Sequence, residues 1–382
     1  MKVGVPNCIS MPRPEASPPA GALVVLGAAL ALGLGLAPSR ATAIPVFAHR
    51  YGFSCEQCHS TVPHLNDFGE RFRAAGFRIP GAPEHGTLPV AIKVNLAYSS
   101  EPDPNGLPKA LVDEVELLSG GSHGKLSYFV ESYVVDGGRH GNLRDAWICY
   151  TPSGDAAPNA LRPSLRAGQF TLDLPADPES FRLTENHYAV FDQTVGANPF
   201  KLFEPRLGVG LALDARGGAG LQLLALKGHD PQSGLPSRGL DTMIAASAPV
   251  GPIELSAYRY AGSRLLPAGI DSFWRLGYAA SVEIGKLELV ALSQAGNDTH
   301  AIGAVAPGTP TAATGGFLEG RWIFSPALTA VARYDGTNDP SGLHRSTTIS
   351  LVRRLRRNSK ITLEDVFSPA KQTFNAALLF AY

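Results

Sequence analysis

The feature that most constrains this chain is a succession of short period-two stripes running from Val90 to the last residue. Val90, Ile92, Val94, Leu96 and Tyr98 alternate with Ala91, Lys93, Asn95, Ala97 and Ser99. Trp274, Leu276, Tyr278, Ala280, Val282 and Ile284 alternate with Phe273, Arg275, Gly277, Ala279, Ser281 and Glu283. Phe374, Ala376, Leu378, Phe380 and Tyr382 close the chain in the same manner. Side chains two apart lie on one face of a strand, so each stripe predicts a strand with one apolar and one polar face. Charged residues are only 17%, against roughly 25% in soluble domains, while 41 glycines and 31 prolines suit many turns. The formal charge of zero gives no electrostatic case for nucleic acid.

Sixteen strands are expected, near 90–99, 110–118, 125–135, 142–151, 164–172, 206–214, 219–227, 240–248, 252–260, 272–283, 287–294, 315–324, 327–335, 346–354, 359–367 and 373–382. Longer connections at 100–109, 228–239, 261–271, 295–314 and 336–345 alternate with tight turns at 215–218, 249–251, 285–286, 325–326 and 355–358. Two connections break that rule, 152–163 being long and 136–141 short. An even strand count, long loops at one end and short turns at the other describe an all-β fold, an antiparallel transmembrane β-barrel of the bacterial outer membrane. Residues 173–205 occupy a long-loop position from which a segment could fold into the lumen. The competing fold is a secreted β-sandwich or repeat.

Residues 1–43 read as a secretory signal peptide. Lys2 and Arg13 precede an apolar run from Ala20 to Ala37, and Ala41-Thr42-Ala43 supplies the small-x-small cleavage pattern. A membrane anchor is the alternative, since the run approaches the length of a span. Cleavage would remove Cys8 and leave Cys55, Cys58 and Cys149, a poor disulfide framework. Cys149, within an expected strand, is a small buried or lipid-facing residue in this reading.

Chemistry concentrates at Cys55-Glu56-Gln57-Cys58-His59. Cys-x-x-Cys-His lets two thiols bind both vinyl groups of one porphyrin while the adjacent histidine binds its iron. A thioredoxin-type site lacks the βαβ setting, and a zinc site lacks a second ligand pair. One covalent haem c is therefore expected on Cys55, Cys58 and His59. His64 and His49 are the nearby candidates for the sixth iron ligand, with lumen histidines such as His123, His140 or His187 behind them; Met243, the single methionine beyond the signal, is distant in sequence. Leu65, Phe68, Phe72 and Ala75 recur at helical spacing, with Asn66 or Asp67 as the start signal and Gly76 as the stop. The porphyrin would be the main apolar partner of that stripe. Residues 44–87 form a small helical haem segment, too short to stand alone, which should dock onto the barrel of residues 88–382.

Ile44-Pro45-Val46-Phe47-Ala48-His49-Arg50-Tyr51-Gly52, the haem motif, Pro63-His64-Leu65-Asn66-Asp67-Phe68-Gly69-Glu70-Arg71-Phe72 and Gly76-Phe77 together resemble the fused monohaem cytochrome–porins of the bacterial outer membrane. The resemblance implies a sixteen-stranded barrel behind a cytochrome segment on the periplasmic side or in the lumen. It implies thioether anchors at Cys55 and Cys58 and a proximal ligand at His59. It also implies electron transfer across the outer membrane, from an extracellular donor such as Fe(II) to periplasmic carriers such as soluble cytochromes, with a possible Fe(II) oxidase activity. Two other readings of the residues stand beside it, a passive porin whose haem segment is only a plug, and a periplasmic monohaem cytochrome with a soluble β domain.

Overall fold

The computed structural model describes residues 47, 51–74, 77, 79, 90–102, 108–152, 161–215, 217–228, 239–266, 269–300, 310–356 and 358–381. The expected signal peptide with Cys8, the candidate ligand His49 and the stop signal Gly76 lie outside these residues.

Helix α1 (Cys55–Cys58) leads into two short paired strands, β1 (His59–Thr61) and β2 (His64–Leu65), and then helix α2 (Asp67–Ala74). The wall opens with β3 (Val90–Pro102), β4 (Pro108–His123) and β5 (Leu126–Asp136). After the two-residue β6 (Arg139–His140) come β7 (Leu143–Tyr150) and β8 (Arg162–Phe170). A long segment containing helix α3 (Ala189–Asp192) leads to β9 (Arg206–Asp214), β10 (Gly220–Lys227) and β11 (Leu240–Val250). The wall continues with β12 (Ile253–Leu266), β13 (Gly269–Ile284), β14 (Leu287–Asp298) and β15 (Thr311–Ser325). It ends with β16 (Leu328–Asp339), β17 (Gly342–Arg356), β18 (Ser359–Phe367) and β19 (Gln372–Ala381).

Successive strands pair antiparallel, and β19 pairs with β3 through Asn375↔Ser99, Ala377↔Ala97 and Ala381↔Lys93, which closes the cylinder. Because β5 pairs directly with β7 past the small β6 hairpin, the wall holds sixteen strands. Closure leaves no edge with unpaired backbone groups, the condition for a sheet to sit in hydrocarbon.

The stripes decide which way each strand faces. On β17, Thr348, Ser350 and Val352 are buried, while Ile349 is 53% and Leu351 41% exposed. On β13, Phe273 and Arg275 are buried, and Tyr278 is 59% exposed. The apolar stripes therefore face outward and the polar ones inward, the reverse of a water-soluble sandwich. Among the described residues no helix is long and apolar enough to cross a membrane.

The tight turns fall where expected. Gly251 and Gly285 each take a φ of +63° in two-residue hairpin connections, a conformation that suits glycine. Two expected long loops do not exist as such. Residues 261–266 continue β12, with Ala261↔Trp274 through Leu266↔Gly269 in register. Residues 336–339 and 342–345 likewise extend β16 and β17. Beyond the outward apolar band these strands carry Gly, Ser, Asn and Arg, so the alternation that marks a strand fades while its backbone ladder continues.

Candidate functional site

The lumen is filled by two pieces of chain. The first is the stretch between β8 and β9. Phe170, Leu172, Tyr188, Val190, Phe191 and Phe200 form a buried cluster inside the cylinder with Tyr258, Tyr260 and Phe273 of the wall. Arg333 of β16 donates to Thr184 Oγ1 at 2.7 Å and to the carbonyls of Asn186 and His187 at 2.8 and 2.9 Å. Glu364 of β18 accepts from the backbone N–H groups of Glu185 and Asn186 at 2.9 and 2.8 Å. Asn198 Nδ2 bridges Asp271 and Asp298, 2.8 Å to each. The expected inward fold of residues 173–205 is thus realised, held by inward charges that meet backbone groups otherwise stripped of water.

The second piece is the segment around Cys55–Ala74, at the tight-turn mouth. Thr61 Oγ1 lies 2.8 Å from Thr329 Oγ1, the Leu65 N–H donates to the Ser180 carbonyl at 3.1 Å, and Arg73 pairs with Asp177 at 2.5 Å. Arg354 of β17 pairs with Glu56. The predicted docking of this segment on the barrel therefore takes place inside the barrel. Its apolar stripe has partners besides any porphyrin: Phe72 meets Phe47 and Phe77 edge-on, and Phe77 stacks on Trp147 of β7 at 5.9 Å. That corrects the expectation of a stripe facing chiefly the porphyrin.

Of the two start signals for α2, Asn66 is the cap. Its Oδ1 accepts from the N–H groups of Phe68 and Gly69, both at 3.0 Å. Gly69 lets α2 lie against α1, since a Cβ there would stand 2.2 Å from the Cys58 carbonyl oxygen.

Between the segment and the wall lies a cavity of about 1360 Å³, bordered by Cys58 and His59. It exceeds the roughly 300–1,000 Å³ of ordinary small-molecule sites. Space exists because the facing wall presents small side chains, Gly210, Ala212, Ala245, Ser247, Ser256 and Ala279. His59 Nδ1 is 2.9 Å from the Pro63 carbonyl. Only an N–H can bond a carbonyl, so Nδ1 carries the proton and Nε2 of the neutral ring keeps its lone pair. Burial pushes the His59 pKa down to about 4, against the opposing pull of the Pro63 carbonyl. A neutral imidazole oriented by a backbone carbonyl is the form a metal ligand requires. The setting of His59 therefore fits an iron ligand, with Cys58 bordering the same cavity.

His64, the first candidate for the sixth ligand, is buried with both ring nitrogens engaged. Nδ1 is 2.5 Å from Ser60 Oγ, and Nε2 is 3.4 Å from Glu288 of β14. Its ring meets Phe181 edge-on at 4.6 Å. Reaching an iron would mean giving up these partners. His123 and His140 are exposed at strand ends rather than in the lumen, and His187 is exposed and paired with Asp192. Met243 is buried in the lumen cluster. Cys149 faces the cavity, so it is buried and not lipid-facing. Sequence reasoning missed Glu288, Thr329, Arg354 and Lys360 as neighbours of the haem segment. The only signal for them was inward parity on their strands.

Comparison with solved structures returns porins. The anion-selective porin from Comamonas acidovorans superposes with a TM-score of 0.60 at 11% identity, over 78% of this chain and 99% of its own. OmpF of Salmonella typhi, solved in complex with daunomycin, gives 0.55 at 10%, over 77% and 97%. OprB of Pseudomonas putida gives 0.52 at 9%, over 85% and 99%. At such identities the likeness is one of fold. Protein-family models and curated protein sequences give no match.

Proposed function

We propose that the chain is a bacterial outer-membrane barrel carrying one c-type haem in a plugged lumen, and that it passes electrons between an extracellular donor and a periplasmic carrier. Cys55 and Cys58 would hold the porphyrin by thioethers and His59 would ligate its iron. Fe(II) is the candidate donor and a soluble cytochrome the candidate acceptor. The observation that carries the reading is the cavity of about 1360 Å³ onto which Cys58 and His59 open inside a closed cylinder. The outward belt, with Leu318 58%, Ile349 53% and Tyr278 59% exposed, belongs against hydrocarbon.

The haem supplies a one-electron couple, whose potential depends on its ligands, hydrogen bonds and burial. This chain's residues set those conditions. The Pro63 carbonyl aims the His59 ring and raises its basicity. Asn66 and Gly69 hold α2 against the Cys-x-x-Cys turn. Phe47, Phe72, Phe77, Phe129 and Trp147 form an apolar flank that excludes water. An electron crossing a hydrocarbon core of about 30 Å needs an interior site of this kind, and an insoluble oxidised product would stay outside.

The porin likeness supports a rival, a passive channel with the segment as plug. Against free diffusion stands the packed interior between β8 and β9. The two part in liposomes enclosing an oxidised soluble cytochrome, with Fe(II) added outside. The haem reading expects the enclosed cytochrome to be reduced by wild type and not by Cys58→Ala. Equal rates for both, or porin-sized conductance without reduction, would sink it.

A further inference from the structure

Among the described residues that border the cavity, Lys360 is a buried cation with no ion-pair partner. Lys360 lies on β18 in register with Arg354, the residue paired with Glu56 of the haem motif. Its side chain points inward with Thr362 and Glu364, is only 8% exposed, and lines the cavity. The other buried or half-buried cations there have anions: Arg73 with Asp177, Arg166 with Asp173, Lys93 with Glu116 and Arg354 with Glu56. Arg71 and Arg162 are exposed to water. Among the described residues no carboxylate comes within ion-pair distance of Lys360. An ammonium that faces a cavity with no carboxylate at ion-pair distance can take its counter-charge from a group bound there.

Resting on the haem reading above, we infer that Lys360 is the counter-ion of a haem propionate, positioning the porphyrin by its carboxylate edge while the cysteines fix the vinyl edge. Lys360 borders the same cavity as Cys58 and His59. A porphyrin brings carboxylates into this interior, and each needs a cation once water is displaced.

The test uses the holoprotein extracted from membranes, as wild type, Lys360→Gln and Lys360→Arg, each checked for heat-modifiable migration. Covalent haem per chain and the midpoint potential are measured together. Leaving a propionate uncompensated favours ferric haem, so Lys360→Gln should keep its haem and show a roughly tenfold lower ferrous-to-ferric ratio at fixed ambient potential, about 59 mV for one electron. Lys360→Arg should stay near wild type. A potential unchanged in Lys360→Gln overturns the inference while leaving the haem reading intact; wild type without haem overturns the reading itself. Inorganic phosphate is the other source of the same chemistry. A wild-type potential that depends on phosphate, with that dependence lost in Lys360→Gln, would assign the site to a free anion and reject the propionate. Thermal unfolding gives an independent check should Lys360→Gln load poorly. The substitution should stabilise the haem-free Cys55→Ala/Cys58→Ala chain and destabilise the loaded one, and the same sign in both backgrounds would also overturn the inference.

Discussion

Replacing Gly69 with alanine tests how the haem segment is held. A Cβ at residue 69 would stand 2.2 Å from the Cys58 carbonyl oxygen, 3.0 Å from its carbon and 2.8 Å from Leu65 Cδ2. The leucine methyl can rotate away. The carbonyl cannot, because it also accepts the Asn66 N–H at 2.9 Å, the bond that sets the entry to α2. Overpacking against fixed backbone costs up to about 3 kcal/mol, and alanine returns about 1 kcal/mol of helix propensity. The net loss is about 2 kcal/mol, roughly a thirtyfold shift from docked to undocked segment. Hydrogen exchange of the amides of residues 66–74 should accelerate by that factor while the wall strands stay protected. Arg71→Ala, on the exposed side of α2, should leave exchange unchanged. Wild-type protection in Gly69→Ala would refute the claim that α2 is held by close approach to the Cys-x-x-Cys turn.

Arg333→Met removes a buried guanidinium from Thr184, Asn186, His187 and Asp335. The orphaned partners should cost about 3–5 kcal/mol, read as a lower thermal midpoint and higher bilayer conductance as the inner segment loosens. Asn66→Ala removes the α2 cap and should cost about 1 kcal/mol, seen as faster exchange at the Phe68 and Gly69 amides. Cys58→Ala should abolish covalent haem and electron transfer while the heat-modifiable barrel still inserts.

The sixteen strands were legible from period-two stripes and the turns between them, even where the inward residues are apolar, as Tyr258, Tyr260 and Phe273 are; the expected 206–214 and 359–367, the latter alternating poorly, coincide with β9 and β18. Where β12, β13, β16 and β17 run past the outward apolar band, residues such as Ser263, Arg264, Thr337 and Asn338 replace the outward apolar stripe, and the stretch reads as loop although Arg264 and Thr337 are buried on the inner face. The Cys55-x-x-Cys58-His59 spacing is local, so it can be read directly from the sequence. The fate of His64 was not legible. Ser60 Oγ and Glu288 stand at its two ring nitrogens, the second from more than 200 residues away. Lys360 and Thr329 reach the segment in the same way, through barrel closure and strand register. No local pattern announces such contacts, although inward parity narrows the residues able to make them.

The central claim is covalent attachment of a single porphyrin at Cys55 and Cys58, and the pyridine haemochrome spectrum of protein extracted from the outer membrane tests it most directly. The account predicts one haem per chain, resistant to acid-acetone extraction, migrating with the polypeptide in denaturing gels and lost in Cys58→Ala. Protein with no Soret absorption, or with haem that extracts freely, would contradict it.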